Sequence, residues 1–202
     1  MTATGGAAAG GGTVPPKPSR RGGFGDPPDP SDKEASDAYW WARQKGLCAG
    51  DIDHLLEPHE IRLWEEVFDA GGKITLIARP AKVLMPHGRW ERLASNDATL
   101  AFPGVLVNAS PVEAKSFASP KASRIKAEIA RSVGIAQKWG VTKDIFLVYS
   151  RQHPITDSVL RQVADYNLTH PLASISRLLI WRQGQLVEVE LHQGTRALRP
   201  GT

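Results

Sequence analysis

SPVEAKSFASP, residues 110–120, places a glutamate and a lysine two positions apart in an apolar run, directly before a serine and a proline. Period-two alternation puts Glu113 and Lys115 on one face of a strand and Val112, Ala114 and Ser116 on the other. Ser119 followed by Pro120 reads as a helix start, a capping hydroxyl ahead of proline at the first helical position. Ile125, Ile129, Val133 and Ala136 then form the apolar stripe of a helix running to about Trp139. DIFLVYS, residues 144–150, follows with an unbroken apolar run that suits a strand buried on both sides. Strand, helix and strand in this order predict a helical crossover between parallel strands, with the Glu113 strand central in a sheet.

Working outward, a helix is expected to begin near Glu57, with Pro58 at its first position, and to end at Gly71 and Gly72. Ile61, Trp64, Val67 and Phe68 share one arc of it, and Glu60 falls inside that arc. KITLIAR at 73–79 and KVLM at 82–85 read as strands, LASND is a loop ending at Asp97, and GVLVN at 104–108 reads as the first arm of a hairpin whose second arm carries Glu113. Beyond the crossover come a short helix around Ser158 to Tyr166 and a hairpin of RLLIWR and QLVEVEL about Gln183 and Gly184. The expected fold is an α/β domain over residues 57–192, a mixed central sheet flanked by helices.

Residues 1–31 hold eight glycines and six prolines and little to bury, so a disordered N-terminal arm is expected there. Residues 32–56 read as a helical linker: SDKEASDAYWWARQK has an acidic first turn, a basic last turn, and Trp40 and Trp41 to dock it or grip a partner. Residues 193–202 form a tail.

The chain has 202 residues, 41% hydrophobic and 23% charged, as in an ordinary soluble domain. No apolar run approaches the length of a membrane span and no secretory signal is written at the start, so no membrane partner is expected. The single cysteine, Cys48, excludes an internal disulfide framework and a cysteine zinc cluster. Charge is unevenly spread. Residues 31–70 carry ten acidic and four basic side chains, and residues 113–151 carry eight basic and three acidic. The second field suits a polyanion such as nucleic acid. Lys121, Arg124, Arg131 and Lys138 supply its helical face, which in isolation also reads as a solvated basic surface.

The signatures G-x-S-x-G, G-x-x-x-x-G-K-[ST], G-x-G-x-x-G after a strand and H-E-x-x-H are all missing. The six histidines are scattered, and His54 and His59 lack a helical ligand spacing. What remains is Asp97, Glu113 and Lys115. Two carboxylates converging on a central strand suit Mg²⁺ or Mn²⁺, which bind through one or two carboxylates plus substrate phosphate. A neighbouring lysine orients the attacking water or stabilises developing charge. Glu60 either closes the first-turn N–H groups of its helix or adds a carboxylate to the site.

Glu60 in a helix, then GGKITLI, then Asp97, then VEAK at 112–115, then a helix ending near Gln137 and the strand IFLVY together resemble the PD-(D/E)XK nuclease superfamily. More narrowly, they are similar to the toxin nuclease domains of contact-dependent growth inhibition proteins and of phage MuF-like proteins, many of which cleave tRNA. The resemblance spans about Glu57 to Leu191. It implies a PD-(D/E)XK-like core and a metal-dependent endonuclease in which Asp97 and Glu113 hold the metal, Lys115 serves the attacking water and Glu60 adds a carboxylate. It also implies a polar, nucleic-acid-binding position at Gln137, a cognate immunity protein, and a cytoplasmic site of action reached by secretion or by phage. Asn96 stands where the motif has proline. The gap from Asp97 to Glu113 is long, and Glu91 is the substitute acid if Asp97 lies in a loop.

Two other readings stand beside it. The chain is a non-catalytic nucleic-acid-binding or structural module, or Glu113 and Lys115 form an exposed pair that guards an edge strand from aggregation.

Overall fold

The structure is a computed structural model and describes residues 58–77, 82–86, 88–92 and 94–193. The expected arm, the helical linker with Trp40 and Trp41, Cys48, His54 and residues 194–202 lie outside the described residues.

Helix α1 spans Pro58–Asp69. Its end follows from the double glycine. Gly71 has φ 92°, which a side chain would strain. It donates its N–H to the Phe68 carbonyl at 2.9 Å while Gly72 donates to the Val67 carbonyl at 2.9 Å, so a Schellman pair closes the last turn. Of the expected inward arc, Trp64 and Val67 are buried and Ile61 packs against the core, but Phe68 is exposed, and Leu63, outside that arc, is buried instead.

A six-stranded mixed sheet follows the order β1-β4-β5-β6-β7-β8, with strands β1 (Lys73–Leu76), β4 (Ala98–Phe102), β5 (Leu106–Phe117), β6 (Ile145–Ser150), β7 (Arg177–Arg182) and β8 (Gln185–Val189). Strands β2 (Lys82–Leu84) and β3 (Trp90–Arg92) pair with each other in a separate two-stranded sheet. Strand β5 runs antiparallel to β4 and parallel to β6, and β6 is parallel to β7. Helix α2 (Ala122–Lys138) makes the expected crossover between β5 and β6. Residues 146–149 of β6 are all buried, as a strand flanked on both faces requires. Helices α3 (Asp157–Val163) and α4 (Tyr166–Thr169) and a 3₁₀ turn at Pro171–Ala173 lead into the β7–β8 hairpin.

Three expectations are corrected. GVLVN and VEAKSF are not two arms of a hairpin: Gly104 and Val105 lie in the turn, and LVN continues through VEAKSF as one strand of 12 residues, β5. Its hairpin partner is β4, ATLAF, whose two alanines are poor strand formers in a run of only five residues. Pro111 is tolerated within β5 opposite Thr99. Ser119 does not cap α2: the helix begins two residues later, with Lys121 at the cap position and no side-chain capping bond, and Pro120 is buried. Finally, β5 lies between β4 and β6, and Glu113 is 3% exposed, so the edge-strand reading of Glu113 and Lys115 fails.

The sheet separates two cores. On one face, Leu63, Trp64 and Val67 of α1 pack with Leu100, Val112 and Leu147. On the other, Ile125, Ile129 and Val133 of α2 pack with Phe146, Val148 and Ile180. Each such side chain contributes about 1.5–3 kcal/mol by burial, enough to fix β5 between the two layers. Alternation then sends Val112 to the α1 face and Glu113 to the α2 face.

Candidate functional site

Strand β4 starts at Ala98, opposite Val112, so beyond that point β5 has no β4 residue beside it. Asp97 occupies the gap. Its backbone is clamped on both sides: the Asp97 N–H donates to the Val112 carbonyl and the Asp97 carbonyl accepts from Ile77, each at 3.0 Å. Its Oδ2 accepts the Ala114 N–H at 2.8 Å, the bond that a longer β4 would have supplied. Asp97 is thereby fixed against the residue that lies between Glu113 and Lys115. The long interval in sequence is the β4–β5 hairpin, and Asp97 closes it. Glu91 instead stands on the two-stranded sheet opposite Val83.

Glu113 carries three polar partners. Lys115 Nζ donates to Oε1 at 2.5 Å, Ser132 Oγ of α2 donates to the same oxygen at 3.0 Å, and Lys143 Nζ pairs with Oε2 at 2.5 Å. The Lys143 side chain is 8% exposed and that of Lys115 22%. Lys143 lies in the loop entering β6, and Asn96 Nδ2 ties this loop to the Asp97 segment by donating to the Thr142 carbonyl at 3.2 Å.

The two acids are driven apart in proton affinity. Burial pushes the Asp97 carboxyl up to about 7, the Glu113 charge adds to this, and Lys115 and Lys143 oppose it. Burial alone would raise Glu113 as well, but the ammonium groups of Lys115 and Lys143 hold it below its ordinary value. One carboxylate is firmly ionised and its neighbour shares a proton near neutrality, an asymmetry typical of reactive sites.

On the α1 face a second polar group adjoins the first. His59 Nε2 and Ser116 Oγ share a hydrogen bond at 3.1 Å, and the His59 ring lies 6.1 Å from that of Tyr149. Burial raises the Tyr149 phenol above its usual value, and the charge of Glu60 adds to the effect, with a smaller contribution from Asp97. Glu60 therefore stands in the first turn of α1, within electrostatic reach of a buried phenol that also senses Asp97.

Lys121, Arg124, Arg131 and Lys138 are exposed along α2, with Arg131 bound to Glu128 at 2.6 Å. Gln137 donates its amide to the Leu172 carbonyl at 3.0 Å, so this side chain braces the 3₁₀ turn. Lys143 and Ser132 escaped the sequence reading. Ser132 has a weak signal, a hydroxyl one step from Val133 on the buried stripe, whereas nothing local marks Lys143.

Among the described residues no group of three or more His, Cys, Asp and Glu side chains converges as a metal-ligand set. Asp97 and Glu113 still offer the hard oxygen donors that Mg²⁺ takes from protein, one or two carboxylates with water and phosphate completing the shell. A cation there has to displace an ammonium from Glu113.

Comparison of the chain with protein-family models, with curated proteins and with solved structures finds no match.

Proposed function

We propose that the chain is a metal-dependent endonuclease that hydrolyses phosphodiester bonds in nucleic acid, with a PD-(D/E)XK-like core. The observation that carries this reading is the bond from the Ala114 N–H to Asp97 Oδ2, which brings the two acids and Lys115 together where β4 leaves β5. The mixed sheet, with antiparallel β4 and β5, the α2 crossover and parallel β6, supports it. So do the basic side chains along α2, which offer electrostatic attraction to a phosphate backbone.

Asp97 and Glu113 would hold Mg²⁺ or Mn²⁺, which supplies Lewis-acid chemistry toward phosphate when bound. Lys115, released from Glu113, orients water or neutralises charge on the phosphoryl oxygens. Lys143 keeps Glu113 ionised, and Ser132 fixes its rotamer. Such a nuclease acts as a toxin or effector in the cytoplasm of its target, and its producer needs an immunity protein; an acidic inhibitor would complement the α2 surface.

Incubation of the purified chain with total RNA and with plasmid, with and without Mg²⁺, tests this. Cleavage is expected only with Mg²⁺ and should be lost in Asp97→Asn and Lys115→Ala. Equal cleavage by wild type and both variants, or none by any of them, would overturn it.

The burial of Glu113 between two ammonium groups favours a second reading, a structural ion cluster within a nucleic-acid-binding module. In that case Mg²⁺ leaves the thermal midpoint of the wild type unchanged, whereas a metal site raises it in the wild type and not in Asp97→Asn.

A further inference from the structure

A cavity of about 200 Å³ opens at the carboxyl ends of the adjacent parallel strands β6 and β7. Its walls come from the segment after β6 and the turn between β7 and β8, and they include Arg151, Gln152, His153, Trp181, Arg182 and Glu66.

Its chemistry is cationic. Two arginines and a histidine line it beside a single glutamate, whose carboxylate is already engaged, because Trp181 Nε1 donates to Glu66 Oε2 at 2.6 Å. Arg182 gives Nη1 to Asp157 at 2.6 Å, which orients its guanidinium and leaves other N–H donors free of that bond. Arg151 pairs with no carboxylate among the described residues. Its backbone is pinned by donation to the Phe117 carbonyl at 2.8 Å. Gln183 lines the same cavity from φ 52°, a left-handed position in a two-residue hairpin turn where asparagine or glycine is the unstrained choice.

We propose that this cavity is a phosphate-binding site, in which Arg151 and Arg182 grip one phosphate group and Gln152, His153 and Gln183 offer further hydrogen bonds. Paired guanidinium groups match the oxygens of a phosphate, and the small volume suits one such group with the edge of its sugar. The site is distinct from the carboxylate pair. Arg151 lies five residues beyond the Glu113 partner Phe146, about 16 Å along the sheet, and Trp181 belongs to the α1-side core while Glu113 faces α2. The inference does not rest on the nuclease reading, because binding is measured without turnover.

The test titrates the full chain with inorganic phosphate, then with a single-stranded oligonucleotide carrying either a 5′-phosphate or a 5′-hydroxyl, following the indole N–H signal of Trp181 by NMR. Saturable phosphate binding is expected, weakened about tenfold or more in Arg151→Gln and in Arg182→Gln. Preference for the 5′-phosphorylated strand assigns the site to a terminal phosphate. Equal binding of both strands, competed by inorganic phosphate, assigns it to the backbone. Arg182→Gln also removes the Asp157 pair, so the exposed Arg151→Gln variant is the cleaner arm. No shift of the Trp181 signal at millimolar phosphate, or unchanged binding by Arg151→Gln, overturns the proposal.

Discussion

Lys143 Nζ lies 2.5 Å from Glu113 Oε2, across 30 residues of sequence, in a pair whose two side chains are 8% and 4% exposed. With Lys115 on the other oxygen, one buried carboxylate answers two ammonium groups. Glu113 is thus a structural residue as well as a candidate ligand. Replacing it with alanine strands Lys143 in a nearly dry position and should cost about 3–5 kcal/mol. A chemical denaturation midpoint close to that of the wild type would contradict this. Loss of cleavage in Glu113→Ala is therefore interpretable only beside its folding curve, and Lys115→Ala, at a more exposed position, is the better probe of chemistry.

The raised Asp97 carboxyl makes stability depend on pH. Its ordinary value is 3.8 and its folded value about 7. Between these limits the native state keeps a proton that the unfolded chain has released, so stability falls as pH rises. The penalty is absent below the lower value and complete above the upper one, where it reaches about 4 kcal/mol. Asp97→Asn keeps an acceptor for Ala114 and has no proton to lose. Relative to wild type it should gain roughly 2–4 kcal/mol at pH 8 and little at pH 4. Urea midpoints at the two pH values check this, and a gain of the same size at both would exclude the titration.

Asn167 is buried and reads one backbone residue from both sides: its Nδ2 donates to the Ile175 carbonyl at 2.9 Å and its Oδ1 accepts the Ile175 N–H at 3.0 Å. Asn167→Ala leaves both backbone groups without their partner and should cost about 2–4 kcal/mol. The change is expected in thermal denaturation, with amide exchange at Ile175 accelerated in the same variant. Exchange at wild-type rates would mean that Asn167 is not what protects the Ile175 amide.

Gly72 sits where a Cβ would come within 2.7 Å of both the Val67 carbonyl oxygen and Val67 Cγ1. The backbone oxygen is held by the closing bond of α1 and has little room to move. Gly72→Ala should cost roughly 1–3 kcal/mol, seen as a lower denaturation midpoint. Gly88→Ala serves as the contrast: nothing lies within 4 Å of its Cβ, so only the strain of φ 78° is felt.

By itself the sequence determined the elements whose signals are local. The four buried residues of β6 announce a strand covered on both sides, the double glycine ends α1, and Gln183–Gly184 sets the final hairpin. It also singled out Glu113 and Lys115, because charge inside an apolar strand is conspicuous in one dimension, and Asp97 as the acid ahead of them in the motif they resemble. Only the tertiary structure decided the setting of those charges. That LVN at 106–108 and VEAKSF are one strand depends on the register with β4, which the β4–β5 pairing fixes. Which N–H Asp97 accepts depends on where β4 stops. Lys143 and Ser132 reach Glu113 only because the α2 crossover returns the chain beside β5; the stripe beside Ser132 hints at its burial but not at its partner, and nothing local marks Lys143. Local propensity is written within a few residues of the element it forms, whereas a buried charge is matched by whichever side chain the packing of distant elements delivers.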